Sequence, residues 1–272
     1  MSTAAEATSQ SKLRNIWQNS GMVMVFLILF VLLSIFVPFF FTMRNMIGLA
    51  LSVATLGMVA TTMTFALASG NFDLSVGSII AFSGVTAAVV INITGSTVLG
   101  ILAGALGSMF VGLVNGLVIA KLKINALITT LAMMQIVRGL AFIVSDGSAV
   151  GIVNTDFFIL GNSQVLGLPM PIWIALVYFI VFAVLLNRTT YGRNTLAIGG
   201  NEEAARLSGI NVDRVKIMIF AVQGLMTGFA GVVLASRMTS GQPNTSQGFE
   251  LTVISACVLG GVSLSGGVAA IS

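Results

Sequence analysis

Few side chains in this sequence could do chemistry, and their types narrow what that chemistry is. Its 272 residues hold eight Asp or Glu, twelve Lys or Arg, one cysteine and no histidine. Without histidine there is no Ser-His-Asp or Cys-His nucleophile system, no histidine zinc site and no imidazole proton relay. The single cysteine, Cys257, cannot close an internal disulfide, and it lies in an apolar run where the ordinary role is a small buried side chain. No G-x-x-x-x-G-K-[ST] occurs, so the chain builds no P-loop of its own. H-E-x-x-H and G-x-S-x-G are also absent, which leaves an intramembrane enzyme without a metal set or an activated serine. The isoelectric point near 9.7 reflects a net charge of only +4, too sparse for a nucleic-acid stripe. No catalytic residue, metal or resident cofactor is expected.

Two carboxylates stand against apolar runs. Asp73 and Glu250 are functional candidates on that ground, with a helix cap as the competing role. They belong to a repeat: Phe72-Asp73-Leu74-Ser75-Val76 recurs as Phe249-Glu250-Leu251-Thr252-Val253, with Ser78 and Gly84 matching Ser255 and Gly261 at the same offset. Leu67-Ala68-Ser69 has a further relative in Leu234-Ala235-Ser236. Asp73, Ser75, Glu250 and Thr252 are therefore candidates for a pathway between two inverted halves.

A second constellation is Asn201-Glu202-Glu203-Ala204-Ala205-Arg206-Leu207-Ser208-Gly209. Asn201 suits a helix cap, and Glu202 and Glu203 suit the positive end of the helix dipole. Glu202 and Arg206 stand four apart in the favourable order, and Gly209 offers a left-handed exit. A membrane-surface helix would carry basic flanks and bulky apolar anchors; this one, with its alanines and two carboxylates, points to a protein partner. A third pattern, Gly100, Gly104, Ser108, Gly112 and Gly116 at strict four-residue spacing, reads as a helix-packing stripe. Lipid gives helices little hydrophobic reason to associate, so close backbone approach must do it.

The elements that position these residues are membrane spans. Hydrophobic residues make up 57% and charged residues 7%, against roughly 25% charged in a soluble domain, and mean hydropathy is +1.06. Residues 74–120 carry no charge; as helix they would run about 70 Å, more than twice a hydrocarbon core of about 30 Å. Hydropathy and breakers give an all-α polytopic membrane protein of about eight transmembrane helices, near 21–41, 46–69, 75–93, 97–119, 125–144, 171–187, 215–236 and 251–270. The turn in the charge-free run falls at Asn92-Ile93-Thr94-Gly95-Ser96. With the amino terminus in the cytoplasm, Lys12, Arg14, Lys121, Lys123, Arg188, Arg193, Arg206, Arg214 and Lys216 lie inside, leaving Arg44, Arg138 and Arg237 near the outer side. The expected organisation is one transmembrane domain over 1–272, with a cytoplasmic tail 1–20 and a cytoplasmic loop 188–214. The acid of the second repeat copy precedes only 22 residues, so equal halves would need about two more helices.

Gly70-Asn71-Phe72-Asp73-Leu74-Ser75-Val76-Gly77 resembles an element of the bacterial monosaccharide ABC permeases. So does Tyr191-Gly192-Arg193, followed by Ala197-Ile198-Gly199-Gly200 and the run from Asn201 to Ile210. The resemblance covers nearly the whole chain. The stretch 121–132 with Gln135-Ile136-Val137-Arg138-Gly139-Leu140, then Asn194-Thr195-Leu196-Ala197 and Arg237-Met238-Thr239-Ser240-Gly241-Gln242-Pro243, are most similar to its L-arabinose branch. The resemblance implies a homodimeric permease of about ten helices per subunit in a bacterial inner membrane. Its partners would be an ABC ATPase, which carries ATP-Mg, and a periplasmic sugar-binding protein, with lipid around it. Residues 202–209 would then be the segment that docks in the ATPase. The implied activity is ATP-driven monosaccharide import by alternating access, with ribose, galactose or xylose as alternative substrates. An ion-coupled secondary transporter and a shortened, inactive permease are the competing readings.

Overall fold

The computed structural model describes residues 23–269 and 271; the tail 1–20 lies outside the described residues. Contacts divide the chain into residues 1–49 and 50–272. In the first unit, α1 (Val23–Phe36) is a shorter apolar helix. Pro38 disfavours helical backbone at the residue before it, and the chain turns through Phe39 at φ 62°. Phe40 and Phe41 meet Phe30 edge-on at 5.5 and 6.1 Å. The expected span 21–41 thus ends as helix at Phe36, and its first two residues lie outside the described residues.

Among the described residues, six helices are long and apolar enough to cross a membrane: α2 (Met43–Ala68), α3 (Val76–Thr94), α4 (Thr97–Lys121), α5 (Ala126–Val144), α7 (Met170–Arg188) and α10 (Val212–Met238). Their ends carry the sequence signals that stop and start helices. Gly95 leaves α3 at φ 69°, Ser96 accepts the Leu99 N–H at the start of α4, and Asn125 accepts the Leu127 N–H at the start of α5. The segments after α5 and α10 form two small pairings, Val150–Gly151 with Ser240–Gly241 and Gln164–Val165 with Leu168–Pro169. The second turns through Leu166 and Gly167, both at positive φ, as a two-residue hairpin of the I′ kind requires. Between them a 3-10 turn (Thr155–Phe158) and the short α6 (Ile159–Asn162) bury Phe157, whose carbonyl accepts the Ser236 hydroxyl.

The centre of the second unit is α3, α4 and α10. The α4 stripe faces its neighbours at every step. A Cβ on Gly100 would meet Ile91 and the Ala87 carbonyl, and one on Gly104 the Ser83 carbonyl and Val232. Ser108 is fully buried against Gly224 and Gly228, while Gly112 lies on Phe220 and Gly224 and Gly116 on Ile217. Small side chains on both helices let the backbones touch, the packing mode of helices in lipid. Asn115 donates to the Ser75 hydroxyl across the α4–α3 contact at 3.1 Å, worth about 0.6 kcal/mol on average in a membrane.

Hydropathy did not anticipate the path of the chain after α10. Ile80 lies against Gly231 and Gly84 against Ala235, so α3 runs parallel to α10 and starts beside its middle. Past the left-handed Thr239, Gly241 packs on Gly84 and Val85, and Ser246 reaches Gly77. Residues 241–246 therefore run back along α3 toward its start, and α11 (Phe249–Leu259) begins there. The expected eighth span, 251–270, stops at Leu259. Gly260 and then Gly261 at φ 93° end the helix, and the Val262 N–H turns back to the Cys257 carbonyl at 3.0 Å. The following residues fold under α2, where the Gly267 N–H donates to the Ala68 carbonyl at 2.9 Å.

The 188–214 loop contains two helices where the sequence suggested one. In α8 (Thr190–Gly200), Thr189 caps the Gly192 N–H. Two of its glycines are approach points: Gly192 sits on the Leu185 and Leu186 carbonyls and Gly199 on Ala68 and Gly267. Tyr191 stacks on Phe65 at 5.3 Å, which fixes α8 to α2.

Candidate coupling segment and polar cavity

The helix α9 (Glu202–Leu207) is organised at both ends by its own sequence. Asn201, extended at φ −160° and ψ 107°, accepts the Ala204 N–H at 2.9 Å. At the exit, the Ser208 and Gly209 N–H groups donate to the Ala204 and Arg206 carbonyls, and the Ile210 N–H donates to Ala205. Gly209 holds φ 85°, a conformation that a β-branched residue reaches only with strain. One face is anchored by Ala205, buried at 4% exposure in the core. The other face presents Glu203, Ala204 and Leu207, with Leu207 83% exposed.

Charge ties this helix to the spans beneath it. Glu202 accepts from Arg206 at 3.1 Å and from Lys216 of α10 at 2.6 Å. Asp213, at the start of α10, takes Lys121 from the end of α4 at 3.1 Å and Lys123 at 2.8 Å. The Lys216 hydrogen bond, opposed by partial burial and aided by the charges of Lys216, Lys123 and Arg206, holds the Glu202 carboxyl below the usual carboxylate range. A depressed carboxylate stabilises the fold above its ordinary range and loses that contribution as pH falls through the lowered value; the pair is therefore intact at neutral pH. Exposed pairs add little stability, so their effect here is positional. Lys216→Met should raise the Glu202 titration toward the ordinary carboxylate range, followed by carboxyl 13C NMR of labelled glutamate. An unchanged titration would contradict the Lys216 contact.

The repeat residues meet different surroundings in the structure. Asp73 and Ser75 are fully buried, and one Asp73 oxygen accepts both the Ser75 N–H at 2.9 Å and its hydroxyl at 2.5 Å. This turn delivers the chain into α3, in the manner of an Asx turn. Thr252 is exposed on α11, while Glu250 lies against Gly77 at the start of α3. The distribution of cations puts the first repeat copy at the cytoplasmic side and the second at the outer side. Because residues 241–246 fold back, the starts of α3 and α11 are side by side instead.

At that junction lies a cavity of about 310 Å³ lined by Ser78, Gln135, Arg138, Gln247, Gly248 and Glu250 among others. Arg138 donates to the Pro243 and Thr245 carbonyls, each at 2.7 Å, pinning the returning segment to α5, and it is near enough to feel the Glu250 charge. Sequence reasoning counted Arg138 as a topological cation and passed over Gln135 and Gln247. An arginine inside an apolar span was the available signal; the other two become visible only when the chain folds back.

Apolar spans close-packed through glycine, with polar groups between them and an ordered helix on the loop between two spans, make this a polytopic membrane protein. A permease family described as "Branched-chain amino acid transport system / permease component" matches residues 45–271. The chain is 62% identical over 257 residues to the L-arabinose transport system permease protein AraH of Escherichia coli K12, covering 94% of this chain and 78% of that one. It is 59% identical over 260 residues to the L-arabinose ABC transporter permease protein AraH of Azospirillum brasilense, covering 94% and 77%. Against the ribose import permease protein RbsC of Bacillus subtilis it is 40% identical over 271 residues, covering 98% and 84%. No solved structure matches. The chain belongs to this permease family: it is a multi-pass transport subunit of an ABC importer and not an enzyme.

Proposed function

We propose that this chain is the membrane-spanning subunit of an ATP-driven importer that moves L-arabinose into the cytoplasm. The observation that carries the reading is the 62% identity to an L-arabinose permease over 94% of the chain, against 40% to a ribose permease. In this reading two copies form the translocation unit in the bacterial inner membrane, with the amino terminus in the cytoplasm as nine of the twelve cations favour. A periplasmic binding protein delivers the sugar, and two copies of an ATPase, carrying ATP and Mg, bind on the cytoplasmic side. The repeated motif and the adjacent starts of α3 and α11 support an inverted repeat whose halves rock against each other.

Residues Asn201 to Gly209 are the ATPase-coupling segment in this proposal. Leu207 is the exposed apolar knob for a groove in the partner, and Glu203 is the charge beside it. Glu202 passes the movement of α9 to α10 through Lys216, while Asp213 links α10 to α4 through Lys121 and Lys123. Since α4 and α10 touch backbone to backbone, a push on α9 would move both together. The test is ATP-driven uptake of labelled L-arabinose by vesicles holding this chain and its partners. Unlabelled L-arabinose should compete; equal competition by ribose, galactose or xylose would contradict the substrate assignment.

A further inference from the structure

The cavity between α3, α5 and the start of α11 has a composition that points to one kind of ligand. Two helix starts lie at it: α3, entered through the Asp73–Ser75 turn, and α11, whose cap is Gly248. Ser78, in the first turn of α3, lines the cavity at 1% exposure, and its buried hydroxyl has no hydrogen-bond partner. Burying a hydroxyl unpaired costs about 1–3 kcal/mol, so a ligand that engages it recovers that cost. Gln135, Gln247 and Glu250 add amide and carboxylate groups that hydrogen-bond to no other described residue.

The charge balance selects among ligands. Arg138 already serves two carbonyls and stands near Glu250, so the cavity holds one cation against one anion. An anionic ligand would meet the Glu250 carboxylate, and an amino acid would bring two charges to groups that already balance. A neutral polyol suits the array, because each hydroxyl both donates and accepts: carboxylate and amide oxygens take its protons, while N–H groups and the Ser78 hydroxyl serve its oxygens. The size, about 310 Å³, lies at the lower end of the ~300–1,000 Å³ of small-ligand pockets, right for one monosaccharide ring.

We propose that this cavity is the station at which the permease holds a single uncharged monosaccharide during transport, with Ser78, Gln135, Gln247 and Glu250 as its hydrogen-bonding partners. The proposal deepens the import reading and rests on it. Arg138 is a positioning residue: it holds the returning segment against α5 and so sets where Gln247 and Glu250 stand.

The test is protection from thiol labelling in the full chain assembled with its partners. Gln135→Cys is made in a Cys257→Ala background and labelled with a small membrane-permeant methanethiosulfonate. Saturating L-arabinose should slow labelling by about threefold or more, as occupancy by mass action requires, and L-arabinonate, its sugar acid, should not. Ile128→Cys, exposed on the same helix, should label equally with and without sugar. Glu250→Gln combined with Gln135→Cys should let L-arabinonate protect as well. Labelling of Gln135→Cys that is indifferent to L-arabinose, or protection equal at Ile128→Cys, would overturn the proposal. Uptake by the parent complex is measured alongside. Its absence would count against the import reading, while protection would still decide the cavity.

Discussion

Replacing Gly112 by leucine is expected to leave the chain inserted in the membrane but to prevent α4 from seating on α10, so that no stable permease is recovered. A Cβ on Gly112 would collide with the Phe220 carbonyl and stand 3.0 Å from the Gly224 Cα. Both obstacles are backbone, which cannot turn aside as a flexible side chain can. Overpacking alone costs about 1–3 kcal/mol when a core can adjust, and here adjustment would have to separate two helices along their contact. That contact also carries Ser108 against Gly228 and Gly116 against Ile217, so the loss spreads along the stripe. Total stabilities of about 5–15 kcal/mol leave little margin. Gly57→Ala is the matched control: nothing lies within 4 Å of its added Cβ, and alanine is the better helix former. Thermal stability of the detergent-solubilised protein, read by size-exclusion chromatography after heating, should fall sharply for Gly112→Leu and hold for Gly57→Ala. A Gly112→Leu protein as stable as the parent, with altered sugar preference, would favour a pore-lining role for the stripe.

Glu203→Lys and Leu207→Asp should separate ATP hydrolysis from sugar uptake without harming the fold. Neither side chain supports the core: the Glu203 side chain is 75% exposed and Leu207 83%, and the cap of α9 depends on Asn201 and the buried Ala205. Changes at such exposed positions usually alter stability by less than about 0.5 kcal/mol. In an interface the same changes act differently. An apolar anchor in a desolvated groove is worth about 2 kcal/mol or more, equivalent to a thirtyfold or greater loss of binding. The expected result is normal yield and thermal stability, loss of ATPase binding in Leu207→Asp, and in Glu203→Lys loss of the ATPase stimulation that sugar-loaded binding protein gives. Unchanged stimulation in Glu203→Lys would remove α9 from the coupling role. Gly209→Val tests the same segment through the backbone, since φ 85° would have to relax and α9 would leave its position.

The six long spans were legible in the sequence within three residues at each end, because a charge-free apolar run bounded by Asn, Gly or a cation has few other ways to sit in lipid. The local structure of α9 was legible for a similar reason: Asn201, Glu202, Arg206 and Gly209 form contacts within a few residues of one another. Long-range contacts were not. Hydropathy continues through Gly260 and Gly261, although the φ of 93° at Gly261 ends the possibility of a helix. It likewise gave no sign that residues 241–246 return along α3. Without that return Glu250 stays remote from Gly77, and Ser78, Gln135 and Gln247 stay unrelated. In α8, only the carbonyls pressed against Gly192 and Gly199 show why glycine is needed there. Glu202 shows the same limit, because its i+4 partner Arg206 was evident but Lys216, fourteen residues away, was not.

The most direct measurement is uptake of radiolabelled L-arabinose by proteoliposomes containing this chain, its ATPase and its sugar-binding protein, with ATP on the ATPase side. Accumulation that requires ATP, hydrolysis and loaded binding protein is the predicted result. Accumulation that proceeds without ATP but follows an imposed proton or sodium gradient would contradict the account, because it would make the chain an ion-coupled transporter and leave α9 without a partner to serve.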